Sequence, residues 1–146
     1  MRVDVASKVS RSPSPERVRS LLERAASLLS RSKIQNPKSK IEEVSILFCG
    51  DARMRALNRR YRLKDRSTDV LAFPAGTNGF LGDVVISVPY ASRQARRRGE
   101  PVSREIDRLL VHGLLHLRGY DHETDSGEMD ALEASLRRRL KLGERA

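Results

Sequence analysis

The sequence predicts an α+β fold: a single domain, residues 1–146, in which a small, mostly four-stranded mixed sheet packs with about five helices around a buried central helix. Runs with strand periodicity and with helix periodicity intermix along the chain, without the regular alternation that builds a doubly wound parallel sheet. The run Val102–Arg118 is apolar nearly all round its helical wheel, which is typical of a helix at the centre of a fold. A chain of 146 residues is also long enough to bury a substantial core in one domain.

Local periodicity and turn residues predict the elements in order. They are a strand at Val3–Ala6, a helix from Pro15 to about Leu29, a strand at Val44–Cys49, a helix from Asp51 to about Tyr61, strands at Asp69–Phe73 and Phe80–Val88, the central helix and a last helix over about Asp125–Leu142. Asp51 is expected to be an N-cap, and Pro74 is expected to stop the strand that precedes it. Asn78-Gly79 suits a tight turn, so the two strands around it are expected to form a hairpin.

The chain carries a strong excess of positive charge, 29 Lys and Arg against 19 Asp and Glu, or +10 at pH 7. This excess predicts attraction to a polyanion, nucleic acid first. The clusters Arg93–Arg98 and Arg137–Arg139 are candidates for guiding RNA, with a solvated basic surface as the alternative for each. Because no RNP-type aromatic signature is present, RNA affinity is expected to depend on phosphate contacts.

The number of cysteines and the hydropathy of the chain indicate where in the cell the protein is expected. Cys49 is the single cysteine, which excludes a disulfide framework and a CxxC zinc site. No stretch approaches the roughly 18 apolar residues that a membrane helix needs, and the N-terminus lacks the apolar core of a secretory signal. We therefore expect a cytoplasmic protein that does not contact membranes.

The three histidines of the chain, His112, His116 and His122, all lie in one short segment. Residues four apart on a helix project from one face, so His112 and His116 are adjacent donors. Gly119 can take a left-handed conformation, end the helix and return His122 toward the same point. Three converging imidazoles suit one divalent transition metal ion, zinc above all. The lack of a well-spaced fourth ligand favours a catalytic ion with an open coordination position.

Other interpretations of the histidines remain. They could be core residues satisfied by backbone carbonyls, or ligands of a structural zinc ion closed by Asp121, Cys49 or a distant carboxylate. The spacing also matches the H-E-x-x-H-x-x-G-x-x-H pattern of metzincin proteases. However, Gly113 stands where that chemistry needs a general-base glutamate, so peptide hydrolysis by that route is excluded.

Three segments in chain order resemble the motifs of one family. They are LNRRYRLKDRSTDVLAFP at residues 57–74, LGDVVIS at residues 81–87 and HGLLHLRGYDH at residues 112–122. Together they resemble the YbeY family, bacterial metal-dependent endoribonucleases of ribosomal RNA maturation. Two departures are small: Ser67 stands where the family usually has proline, and Ala72 where it usually has serine.

The resemblance implies zinc-ligand roles for His112, His116 and His122 and a functionally important role for Arg62. Its implied activity is cleavage of single-stranded RNA in 16S rRNA 3′-end maturation and ribosome quality control, with the ribosome or its small subunit as partner. The planar donor fork of an arginine suits a phosphate clamp, and the alternative for Arg62 is an ordinary surface or salt-bridged arginine. The alternative function is a non-catalytic ribosome-assembly factor whose zinc holds the fold.

Two acids, Asp83 and Glu105, are candidates for orienting a metal-binding histidine through its second ring nitrogen. Asp83 interrupts an apolar strand, and Glu105 lies two turns before His112 on a similar helical face. A carboxylate on the second ring nitrogen of a metal-binding histidine is a common arrangement. For each acid, an ordinary structural hydrogen bond is the alternative.

Overall fold

A computed structural model describes residues 1–32, 42–77, 79–120 and 126–142 and confirms the α+β architecture. The elements in these ranges are β1 (Arg2–Ser7), α1 (Pro15–Ser32), β2 (Glu43–Cys49), α2 (Asp51–Arg62), β3 (Val70–Thr77), β4 (Phe80–Ser87), α3 (Val88–Arg98), α4 (Val102–Leu117) and α5 (Glu128–Leu140). None of the described helices combines the length and the apolar character that a membrane crossing requires.

The four strands form one mixed sheet in the order β1-β2-β4-β3. β1 pairs with β2 and β2 with β4 in parallel, while β3 pairs with β4 antiparallel as the predicted hairpin. The prediction that Pro74 stops β3 is wrong, because the strand continues to Thr77 and Pro74 pairs opposite Gly82. β3 is an edge strand, and a proline is tolerated there because an edge strand needs hydrogen bonds on one side only. Asn78, from the predicted turn, lies outside the described residues.

The two faces of the sheet carry different layers of helix. Apolar side chains of β2 and β4, such as Ile46 and Val84, pack with α1, α4 and α5 in the main core. On the opposite face Cys49, Leu71 and Val85 pack with Met54 of α2 in a smaller cluster. The period-two alternation of the strands produces this division. The sheet is therefore covered on both faces, with the larger core on the α4 side.

The central helix α4 is buried along almost its whole length, as predicted. A Cβ atom at Gly113 would lie 2.7 Å from Cγ1 of Val84, closer than side chains normally approach. Gly113 therefore lets α4 lie directly against β4. Since β3 borders β4, this close packing also brings the exposed side of α4 next to the edge strand.

The predicted N-cap of α2 is wrong by one residue. Gly50 occupies the cap, and Asp51 is the first helical residue. The Asp51 carboxylate instead accepts hydrogen bonds from Ser67, Ser87 and Arg93, so it joins α2 to the loop before β3 and to the start of α3. The hydrogen bond from Arg93, opposed in part by burial, holds the pKa of Asp51 below its usual range.

Candidate metal centre

His112 and His116 lie one turn apart on one face of α4, as their spacing predicts. Their ring centroids are 4.7 Å apart and the rings meet edge to face. Both side chains are partly exposed, whereas Val111, Leu114 and Leu115 beside them are buried. The two imidazoles are therefore neighbours at a surface that solvent reaches.

This surface is one wall of a pocket of about 500 Å³ between α4, the end of α2 and the edge strand. The pocket is lined by Asn58, Arg62, Lys64, Arg66, Thr68, Val70, Leu71, Ala72, Pro74, His112, His116, Gly119 and Tyr120. The fold thus brings Arg62 to the same pocket as the two histidines, although more than forty residues of sequence separate them. Its lining combines imidazoles with three cationic side chains, a combination that suits a phosphate-containing ligand.

The third predicted ligand, His122, lies outside the described residues, as does Asp121. Within the described ranges, no three His, Cys, Asp or Glu side chains are arranged to hold a metal ion. The turn that precedes His122 does have the predicted form: α4 ends at Leu117, and Gly119 has a φ of 94°. Glycine adopts this left-handed conformation without the steric cost that a side chain would add.

Glu133 of α5 contacts His112 of the candidate centre. Its carboxylate oxygens lie 3.1 and 3.2 Å from Nδ1 of His112, and Arg137 donates to Oε1 at 3.1 Å. Burial opposes ionisation of Glu133, but the hydrogen bond with His112 and the charges of His112 and Arg137 outweigh it and hold the pKa below its usual range. Sequence reasoning missed this residue. Glu133 lies within the apolar stripe that Met129, Leu136 and Leu140 form on α5, and a charged residue at such a position is the signal that could have revealed it.

Arg62, the last residue of α2, reaches over the edge strand. One Nη2–H donates to the carbonyl oxygen of Ala72 at 2.8 Å, and the guanidinium carbon lies 5.7 Å from the centre of the Phe73 ring. These contacts hold an exposed side chain at the rim of the pocket. A guanidinium has five N–H donors, so this hydrogen bond leaves others for an anionic ligand.

Lys64 and Arg66 are two further cations of the pocket wall, on the loop between α2 and β3. Asn58 shapes this loop: it is buried, and its side-chain amide donates to the carbonyl oxygen of Arg66 at 2.9 Å. On the outer side of the loop, Asp65 pairs with Arg55 of α2. The loop is therefore tied to α2 at both of these points, which keeps its cations at the pocket.

Neither acid that the sequence suggested contacts the histidines. Glu105 is buried, but its carboxylate binds Arg98, Arg108 and Gln94. Asp83 alternates with Val84, whose side chain packs against α4, so it projects from the other face of the sheet.

Cys49 also lies away from the histidine pair, in the cluster beneath α2. Burial raises the pKa of its thiol, with partial compensation by Arg53. Cys49 is therefore a buried core thiol, and its raised pKa disfavours the thiolate form that binds metal ions.

Comparison with known proteins identifies the family. The profile described as "Endoribonuclease YbeY" matches residues 4–141. This chain belongs to the YbeY family. Proteins named Endoribonuclease YbeY are 49% identical over 100 residues in Koribacter versatilis, covering 68% of this chain and 66% of the relative, and 54% identical over 102 residues in Anaeromyxobacter sp., covering 66% and 53%. The match therefore spans between half and two thirds of these relatives.

A longer match supports the same assignment, and a solved structure shares the fold. Endoribonuclease YbeY of Chelativorans sp. is 38% identical over 141 residues, covering 90% of this chain and 85% of the relative. The solution structure of TM1509 from Thermotoga maritima superposes with a TM-score of 0.61 at 21% identity, covering 94% of this chain and 88% of that chain. At this level of identity the superposition shows that the fold is shared.

Two of the three segments that resemble YbeY motifs contribute residues to the wall of the pocket. Residues 57–74 form the end of α2, the cationic loop and the start of β3, and residues 112–120 carry His112, His116 and the turn after α4. Residues 81–87 form β4, on which α4 rests. In this YbeY-family chain, two motifs therefore line one cavity, and the third supports the helix that carries His112 and His116.

Proposed function

We propose that this chain is a zinc-dependent endoribonuclease that cleaves single-stranded RNA in the cytoplasm, in 16S rRNA 3′-end maturation and ribosome quality control. His112, His116 and His122 would hold one zinc ion, and Arg62 would act on the scissile phosphate. The observation that carries the proposal is the shared pocket, in which adjacent imidazoles face an arginine and two further cations. Membership of the YbeY family, whose profile is described as an endoribonuclease, supports the reaction class.

The donor set fits zinc. Imidazole is a preferred zinc ligand, and His112 and His116 are neighbours on one helical face with their rings 4.7 Å apart. The second nitrogen of His112 contacts a buried carboxylate, an arrangement common behind metal-binding histidines. When bound, such an ion supplies Lewis-acid polarisation of a phosphoryl oxygen and lowers the pKa of water.

The cations of the chain bind and orient the substrate. Arg62, anchored by Ala72, presents its remaining N–H donors to the phosphate whose charge grows during cleavage. Lys64 and Arg66 neutralise neighbouring phosphates, since both line the same cavity. Positioning together with electrostatic stabilisation accounts for most of the catalytic effect in phosphoryl chemistry.

Two variants test this function on a single-stranded fragment of rRNA, with metal content and circular dichroism measured in parallel. His116→Ala should lose both metal and cleavage while it remains folded. Arg62→Ala should keep its metal and lose about 100-fold in cleavage rate, the usual effect of removing one donor to a developing anion. Arg59→Ala is the matched control, because Arg59 is an exposed arginine on α2 outside the pocket.

Three results would contradict parts of the proposal. If His116→Ala is folded and free of metal but cleaves as fast as wild type, the metal ion is not needed for catalysis. If Arg62→Ala cleaves RNA at the wild-type rate, Arg62 does not act on the scissile phosphate. If the wild-type protein does not cleave RNA but restores rRNA maturation in cells, the protein is a non-catalytic assembly factor with structural zinc.

A further inference from the structure

The contact between Glu133 and His112 joins α5 to the candidate metal centre. Glu133 lies 21 residues after His112, on the far side of the segment that contains His122. Its two carboxylate oxygens are almost equally close to Nδ1, at 3.1 and 3.2 Å. Both distances are within hydrogen-bonding range, so α5 holds an acceptor directly against one nitrogen of His112.

Glu133 is held firmly in this position. The side chain is only 8% exposed, and Arg137, one turn later on the same helix, donates to Oε1 at 3.1 Å. Met129, Leu136 and Leu140 bury the same face of α5 in the main core. A buried carboxylate held by a packed helix and by an arginine has little freedom to leave His112.

The ring of His112 lies between two cavities. It lines the pocket of about 500 Å³ shared with His116 and Arg62, and also a second cavity of about 190 Å³. Glu133 and Arg137 line only the second of these. Nδ1 is thus engaged on the protein side of the ring, and a metal ion in the larger pocket would be bound by Nε2.

We propose that Glu133 is a positioning residue, which keeps the proton of His112 on Nδ1 and fixes the ring so that Nε2 is presented to the metal. The inference rests on the proposed metal site, but it assigns a role to a residue outside the family motifs described above. A carboxylate accepts but does not donate hydrogen bonds, so it selects the tautomer in which Nδ1 carries the hydrogen. Such contacts orient the ligand ring and raise its basicity.

The tautomer can be measured without any metal. The chain has only three histidines, so ring ¹⁵N shifts in a long-range ¹H–¹⁵N spectrum of metal-free protein can be assigned with one variant per histidine. In the spectrum of the neutral ring, His112 should be the Nδ1–H tautomer. Glu133→Ala should shift it toward the Nε2–H form that free histidine favours. Asp130→Asn, which removes an exposed acid of α5, should leave the spectrum of His112 unchanged.

Metal affinity is the second readout. The Kd for zinc, measured by competition with a chromophoric chelator, should rise about 10- to 100-fold in Glu133→Ala and should not change in Asp130→Asn. Glu133→Gln keeps the volume of the side chain and an acceptor oxygen, so it should fold if the alanine variant does not and should lose less affinity. Circular dichroism checks folding throughout.

The outcomes separate this inference from the proposed function. Zinc binding by wild type together with unchanged tautomer and unchanged Kd in Glu133→Ala overturns the positioning role alone. A weaker Kd with an unchanged His112 tautomer also overturns it, because the loss then comes from packing. Failure of wild type to bind zinc overturns the metal site, while the spectrum of the metal-free protein still decides whether Glu133 sets the tautomer of His112.

Discussion

Leu63 follows α2 in a left-handed backbone conformation that leucine rarely adopts, with a φ of 58°. The residue is 88% exposed, so packing does not compensate for the strain. In this conformation the Leu63 N–H donates to the carbonyl oxygen of Asn58 and α2 ends. The chain then continues into the loop that carries Lys64 and Arg66. A single strained residue therefore directs the cationic loop to the pocket.

Leu63→Gly should make the protein more stable by about 0.5 kcal/mol. Glycine removes a left-handed strain of about 1 kcal/mol or more, and the greater freedom of the unfolded chain returns part of the gain. Urea denaturation of the two proteins measures the difference. Leu63→Ala keeps a Cβ atom and should match wild type, so equal gains in both variants would show that the strain is not the cause.

The element that organises the site is α4. Its apolar residues fill the main core, its glycine contacts β4, and its remaining side carries His112 and His116. The position of Gly113 adds a second reason against a metzincin-type mechanism. A glutamate there would meet Val84 rather than reach the pocket, since the missing side chain faces the sheet.

Gly113→Ala should destabilise the protein by about 1–2 kcal/mol. The methyl group would lie 2.7 Å from the stiff, buried side chain of Val84, and this overpacking exceeds the helix-propensity gain of about 1 kcal/mol. A double-mutant cycle with Val84→Ala checks the cause, because the smaller residue makes room for the methyl group. In that background the cost of Gly113→Ala should disappear, whereas strictly additive costs would place the strain elsewhere.

At the scale of the whole molecule, the charge of +10 is not spread evenly over free cations. Arg93 and Arg98 bind Asp51 and Glu105, and Arg137 binds Glu133, so part of each predicted basic cluster has a structural role. Lys64 and Arg66 differ from these in their position, since they line the pocket. We therefore expect them to contribute more to RNA affinity than basic residues elsewhere on the surface.

The combined variant Lys64→Gln and Arg66→Gln should weaken binding of single-stranded RNA and flatten its salt dependence. The slope of log K against log salt should fall by about 0.7 for each phosphate that the variant no longer neutralises. Filter binding at several salt concentrations measures it, with Lys8→Gln and Arg24→Gln as a control of equal charge change outside the pocket. If the control pair lowers the slope equally, net charge and not the pocket governs binding.

Much of the architecture could be predicted from local patterns. The apolar run of α4, the hairpin between β3 and β4 and the strand run of β2 are set by residues close together in the chain, and all are observed. The errors occur where distant groups decide. Pro74 continues β3 because that strand lies at an edge, and Asp51 leaves the cap position because Ser67, Ser87 and Arg93 compete for its carboxylate.

The sequence by itself determined the α+β class, the histidine pair on one helical face and the resemblance to the YbeY family, because spacing along a helix and motif order are local properties. Only the tertiary structure decided which distant groups meet the histidines. In the structure, Arg62 and the cationic loop line the same pocket as the histidine pair. The acid that contacts Nδ1 of His112 is Glu133 and not Asp83 or Glu105. The physical reason is that helix packing and sheet order, which depend on the whole core at once, determine contacts between residues far apart in the chain.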